Sequence, residues 1–411
     1  MNPGQHIDVN GKRTVARLAE LVAIPTVNPP GSHYREAVDK LRQWCGAIGM
    51  STAVHRVPDQ IVSAAGVDPA YPRYNLLARW DVGAARTVHF NAHYDVVPAS
   101  GQWKFGGPFD PSVEKGWMYG RGSGDMKGSI VALLAAVEAL KASGRQPAFN
   151  IECSLTADEE TGGVLGAGHI VAEGLVNADY AVVCEGAAGT RIGYGHNGVL
   201  WLDVQVIGKP AHAANPDAGV NAFVMMAELV HRLQSYKKRL TASSRNYTDL
   251  NGDSRSPTVS IGGVFGGSGQ KVNTVPGNAS FSIDRRLLPN ERIGGVEEEL
   301  RKSIHGAASV LEGIKVEIKT LLRIEPCLVD GDHALPTAFA ASLKAVRRRP
   351  ASLKITTGFT DLHYFVAAGL PGIGYGVDGR MGHGIDERVR VNDLLLTAKT
   401  YANFMIRGVE E

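Results

Sequence analysis

The chain lacks most of what marks a secreted, membrane-spanning or nucleic-acid-binding protein. Its 411 residues include four cysteines, at positions 45, 153, 184 and 327. No two of them form a CxxC pair, which excludes a zinc ribbon and a thioredoxin-like redox motif. Cys153 and Cys184 fall inside apolar, strand-like runs, where a buried reduced thiol is expected. The longest apolar stretch, Ile130 to Val137, is far too short to span a bilayer. The first ten residues, MNPGQHIDVN, are polar and hold no apolar signal region, so a cytoplasmic location is expected. An excess of either charge is missing too: 43 Lys and Arg stand against 41 Asp and Glu, a formal charge of +2. That balance argues against electrostatic binding to nucleic acid or to a membrane surface.

What is present describes an ordinary globular chain, with 44% hydrophobic and 20% charged residues. Its length exceeds what one hydrophobic core usually serves, so two domains are expected. In the first half, three apolar runs end at polar residues. TVHFNAHYD ends at His93 and Asp95, FNIECSLTADEE at Glu159 and Glu160, and DYAVVCEG at Glu185. A helical pattern, MKGSIVALLAAVEALKASG, falls between the first two, with Gly144 as its stop. Apolar strands alternating with helices predict an α/β fold with a mostly parallel sheet covered on both faces. In such sheets ligands bind beyond the carboxyl ends of the strands.

The pattern changes near residue 198. GVLWLDVQVIG alternates like a half-exposed strand, and NAFVMMAELVHRL reads as an amphipathic helix. PTVSIGGVFGG and NASFSIDRRLLP follow as strands, then the helix GVEEELRKSIHGAASVLE and the strand IKVEIKTLLRI. That β-α-β-β-α-β order is ferredoxin-like. It places a smaller domain at 197–322, inserted into a larger one made of 1–196 and 323–411.

The chemistry concentrates at the strand ends. His93 and Asp95 share the i, i+2 spacing that puts side chains on one side of a strand, and a metal-bound histidine gives its other nitrogen to such a partner. The glycine-rich YGRGSGDMKGS lets the backbone turn tightly around Asp125, which stands before a helix and could equally cap it. Lys127 lacks the Gly-Lys-Ser/Thr context of a phosphate loop, and the G-x-G-x-x-G at Gly193 to Gly198 precedes a strand rather than a helix. Of the adjacent carboxylates Glu159 and Glu160, one can hold a cation while the other faces a substrate. Glu185 and His383 would each pass for an ordinary loop residue if they stood alone. Together, imidazoles and carboxylates form a mixed nitrogen and oxygen donor set suited to zinc, manganese or cobalt. A shared carboxylate would suit two ions about 3.5–4 Å apart.

These residues sit in stretches that resemble the M20 metallopeptidase and deacylase family, which includes acetylornithine deacetylase, succinyl-diaminopimelate desuccinylase, aminoacylase and glutamate carboxypeptidase. The stretches are HYDVVP, GRGSGDMKG, TADEETGG, CEG, KPAHAANPDAGVNA, NTVPGNASFSIDRRLLPNE, TGFTDLHYF and GHGIDERV, in family order over nearly the whole chain. The resemblance implies that His93 and Glu185 bind one divalent ion, Glu160 and His383 the other, and that Asp125 bridges them. It implies further that Asp95 orients His93 and that Glu159 is the general base and then the acid. His212 would reach the neighbouring subunit of a homodimer, formed through the inserted lid and dimerisation domain, to stabilise the oxyanion. Asn273, Arg286 and Gly358 would hold the substrate carboxylate or oxyanion, whereas Arg285 reads as an ordinary exposed strand residue.

A glutamate at position 185 resembles the aminoacylase and desuccinylase branch, which implies deacylation of a small N-acyl amino acid. His363 departs from the arginine or small residue of many relatives, and is counted among the substrate-binding positions. The alternatives are a dipeptidase or carboxypeptidase, or an aminohydrolase of an atypical aromatic amine or amide. A non-catalytic binding relative is set aside, because every candidate ligand and the base are present.

Overall fold

The computed structural model describes residues 1–242, 245–267 and 271–409. They fall into two compact units, one of Met1–Gly195, Leu328–Thr356 and Thr360 onward, the other of His196–Cys327 with Thr357–Phe359.

Every position of the strands Thr87–His93, Asn150–Thr156 and Tyr180–Val183 is buried, as strands covered on both faces require. They lie side by side in parallel, with Thr87–His93 in the middle, and Gly372–Gly374 extends the parallel part. Outside them the pairing is antiparallel: Tyr74–Trp80 on Asn150–Thr156, Ser51–Arg56 on Tyr74–Trp80, and Arg191–His196 on Gly372–Gly374. The nine-stranded sheet is thus parallel in its centre and antiparallel at its flanks, a mixed sheet where the sequence led us to expect a mostly parallel one. Parallel neighbours need a long crossover, and the 17-residue helix Lys127–Ser143 supplies it between Thr87–His93 and Asn150–Thr156. Between Ser51–Arg56 and Tyr74–Trp80 the only helix is the six-residue Asp59–Ala64.

The helix Lys127–Ser143 is buried almost all round and ends at Gly144 in the left-handed conformation, φ 64°. The C-terminal helix Val391–Arg407 packs against it. The polar N-terminus is itself helical: Asn2 and Gln5 form a reciprocal capping box that starts the helix Pro3–Val9.

The smaller unit has an antiparallel four-stranded sheet in the order Thr258–Gly267, Asn278–Leu287, Gly198–Ile207, Lys315–Ile324. Burial alternates along Asn278–Leu287 at every second residue, and Phe281, Ile283 and Leu287 join Leu229 and Leu233 in one core. The helices Ala222–Ala242 and Ile293–Ala308 complete the β-α-β-β-α-β order. The first of them runs well beyond the stretch that reads as helical in the sequence.

Candidate metal centre

The donors come from a strand end and from loops of the larger unit. His93 is the last residue of its strand. Glu159 and Glu160 form a single 3₁₀ turn after Asn150–Thr156, entered through Asp158 in the left-handed conformation. Glu185 follows Tyr180–Val183, and His383 sits in a C-terminal loop with φ 61°. Asp125 does not cap the helix that follows it. Met126 holds the N-cap position, with no side-chain cap, and the Asp125 carboxylate faces two imidazoles instead.

One Asp125 oxygen lies 3.4 Å from His93 Nε2 and the other 3.3 Å from His383 Nε2. Glu160 Oε2 is 3.1 Å from the same His383 nitrogen. Ligand atoms of His93, Asp125 and Glu185 lie within 4.8 Å of one another, and so do those of Asp125, Glu160 and His383. The two sets share Asp125. Glu159 belongs to neither, with its Oε2 3.8 Å from His93 Nε2.

The electrostatics of this cluster are unresolved by protein groups alone. His93 Nε2, Glu160 Oε1 and Glu185 Oε1 are buried and have no hydrogen-bond partner among the described residues. Burial and neighbouring carboxylates hold Glu159, Glu160 and Glu185 above the usual carboxylate range. His383 is pushed up to about 10 by Asp125 and Glu160. Burial pulls His93 down, but Asp125 and Asp95 outweigh it and carry the imidazole up. Carboxylates crowded in this way beside two imidazoles form an environment that a divalent cation would neutralise. Divalent ions bound by imidazole and carboxylate fit the donors that are present.

A second set of residues holds the loops that carry these donors. Asp95 O accepts from His93 Nδ1 at 3.0 Å, while the Asp95 carboxylate stands 3.4 Å from that nitrogen. The carboxylate accepts instead from the amides of Glu159 and Glu160, at 3.2 and 3.3 Å, and from Asn28 Nδ2 at 3.0 Å. Asn28 Nδ2 also reaches Asp158 at 3.1 Å, and Asp158 is paired with buried Arg73 at 2.7 Å and bonded by Tyr34 Oη at 2.9 Å. On the other side, the buried Glu387 carboxylate accepts from the amides of Gly122, Gly124 and Asp125, each at 3.0 Å, and from Arg121 at 2.6 Å. The glycine at 124 is required by a close approach: a Cβ there would sit 2.8 Å from Gly379 Cα.

Reading the sequence for donors missed Asn28, Arg73, Asp158 and Glu387 as supports. Asp158 and Glu387 could have been found inside TADEETGG and GHGIDERV. Asn28 and Arg73 carry no local signal.

The remaining candidates divide between the units. In the smaller one, exposed His212 pairs in register with Thr274, and Asn273 O accepts from Ala213 N at 2.9 Å. The Ala214 amide donates to His212 Nδ1 at 3.1 Å, which leaves the ring proton on Nε2. Arg286 makes a two-pronged pair with Asp284, at 2.8 Å for each contact. Gly358 is exposed. Arg285 corrects the expectation of an exposed strand residue: it is fully buried and bonded to Glu291 and to the Arg286 carbonyl. In the larger unit, His363 lies on the helix Leu362–Ala367, where its Nδ1 donates to Thr360 O at 2.8 Å and burial pushes it down to about 4.

A mixed α/β sheet with two overlapping nitrogen and oxygen donor sets at its strand ends has the makings of a metal-dependent hydrolase, and the comparisons with known proteins supply the class. The model for Peptidase family M20/M25/M40 matches residues 89–407, and the chain belongs to that family. The succinyl-diaminopimelate desuccinylase of Gluconacetobacter diazotrophicus is 30% identical over 409 residues, covering 96% of each chain. The acetylornithine deacetylase of Aliivibrio salmonicida is 27% identical over 307 residues, 74% of this chain and 75% of that one. Human carnosine dipeptidase 1 shares the fold with a TM-score of 0.79 at 19% identity, over 98% of both chains. Among the described residues, no helix is long and apolar enough to cross a membrane.

Proposed function

We propose that the protein hydrolyses the amide C–N bond of an N-acyl amino acid, using two divalent ions, with zinc preferred over manganese or cobalt. The observation that carries this reading is Asp125, whose two oxygens face His93 and His383, with Glu159 beside but outside both donor sets. In this reading His93 and Glu185 hold one ion, Glu160 and His383 the other, and Asp125 both. The ions would make a water more acidic and polarise the substrate carbonyl.

The protein's own groups do the rest. Glu159 takes the proton of the attacking water and returns it to the leaving nitrogen. Asp95 O accepts the His93 Nδ1 proton, which leaves Nε2 as the free donor. His212 presents an Nε2–H that would stabilise the oxyanion, reaching the neighbouring subunit of a homodimer formed through the smaller unit. The exposed Val264 and Phe265 on that unit's edge strand support such an interface. Asn273, Arg286, Gly358 and His363 would position the substrate carboxylate.

The names of the desuccinylase and deacetylase relatives support an N-acyl amino acid as substrate. The test is hydrolysis, followed by mass spectrometry, of a library of N-acetyl, N-succinyl and N-formyl amino acids, dipeptides and aromatic amides. Release of an amino acid from N-acyl members, absent with Glu159→Gln, is the expected result. Cleavage confined to dipeptides would replace the deacylase reading by a dipeptidase one. Silence with two ions bound per chain would overturn both.

A further inference from the structure

A cavity of about 280 Å³ opens beside the candidate metal centre, and Asp125 and Glu185 form part of its wall. The chain leaving Glu185 continues along it through Gly186, Ala187 and Ala188, and the exposed Arg191 lines it at the start of the next strand. The pairing explains this position. Arg191–His196 runs antiparallel to Gly372–Gly374, which is parallel to Tyr180–Val183, so its first residue returns to the sheet end from which Glu185 extends.

Arg191 has no ion pair and no side-chain hydrogen bond among the described residues. Of the other charged side chains of the wall, Asp125 and Glu185 are candidate metal ligands, and Asp378 is already paired, its Oδ2 accepting from Arg380 Nη2 at 2.9 Å. The amides of Gly186, Ala187 and Ala188 likewise donate to no acceptor among the described residues. Once the Asp125 and Glu185 carboxylates are committed to cations, the uncommitted groups of this wall are a guanidinium and backbone N–H donors. That combination recognises a carboxylate.

We propose that this cavity is the subsite for a second carboxylate of the substrate, received by Arg191. The inference rests on the deacylase reading and narrows its substrate class to compounds with an acidic arm. The arm is either the far end of a dicarboxylic acyl group or the side chain of an acidic amino acid.

The experiment measures kcat/KM of the metal-loaded protein, as wild type, Arg191→Ala and Arg191→Lys, on N-acetyl and N-succinyl derivatives of alanine and of glutamate. In parallel, calorimetry measures succinate and glutarate binding to the metal-loaded Glu159→Gln protein, with Arg191 kept or replaced by Ala. Arg191→Ala is expected to lower the succinyl-over-acetyl ratio or the glutamate-over-alanine ratio by at least about tenfold, the scale of one lost charge-assisted contact. The loss should appear in KM and be partly restored by Arg191→Lys. Whichever ratio falls identifies the half of the substrate that carries the arm. Unchanged ratios overturn the proposal, as does a diacid affinity that is indifferent to Arg191. A wild type inert towards all four compounds would overturn the deacylase reading alone, and the calorimetry would still decide on Arg191.

Discussion

The Asp95 carboxylate is outside the proposed donor sets, yet it fastens the turn that carries both the base and a ligand. Its bonds to the amides of Glu159 and Glu160 fix where those side chains begin, and Asn28 joins it to Asp158. Asp158 is pushed up to about 6 by burial and Asp95, against the pull of Arg73. Removing the cation should therefore be costly. Arg73→Ala is expected to destabilise the protein by about 3–5 kcal/mol, the usual result of stranding one partner of a buried pair, as read from urea unfolding. A loss under about 1 kcal/mol, the range of exposed pairs, would show that Asp158 does not need Arg73. The base itself should behave differently. Glu159→Gln keeps the shape and removes only the proton acceptor, so turnover should fall by about 10²–10⁴-fold while the melting temperature and the two ions are retained. Turnover near wild type, with the metal content measured, would remove Glu159 from the chemistry.

Among the elements, the strands that end at His93, at Glu159 and Glu160, and at Glu185 were the legible ones, because each is an apolar run that stops at a polar residue. The supports Asn28 and Arg73 were not legible, because their partners are far away in the chain: 67 residues from Asn28 to Asp95 and 85 from Arg73 to Asp158. Arg285 is a different case, since its burial follows the same two-residue period as Phe281, Ile283 and Leu287. The register of that strand was readable, and the charge alone led to the expectation of exposure. The short helix Leu362–Ala367 carries a testable consequence of burial. His363 takes up a proton only near pH 4 when folded, against an ordinary value of 6.5. Between those values the unfolded chain binds the extra proton, so stability falls as the pH drops through that window, and the contribution is complete above it. His363→Gln should flatten this part of the curve. Urea midpoints at about pH 7 and about pH 4.5, compared between wild type and variant, measure it. Equal losses in both proteins would show that His363 does not set the slope.

At the scale of the whole molecule, all the candidate ligands belong to one unit, and the histidine proposed for the oxyanion belongs to the other. Chelation should therefore act on the larger unit, where it leaves Glu159, Glu160 and Glu185 crowded without a cation. An ion present at 100 times its dissociation constant adds about 2.7 kcal/mol of stability, so EDTA should lower the melting temperature and zinc should restore it. A melt indifferent to EDTA, with metal loss verified, would count against the donor assignment. Assembly gives the sharper test. If His212 serves the neighbouring subunit, His212→Ala should nearly abolish activity while the homodimer stays intact. Glu159→Gln should be equally inactive for its own reason. A heterodimer of the two variants then contains one site with an intact Glu159 that faces a subunit with an intact His212. Purified through two different affinity tags, it should recover about half of the wild-type turnover per dimer, because one of the two composite sites is whole. If His212 works within its own chain, each site of the heterodimer still lacks one group and no activity returns.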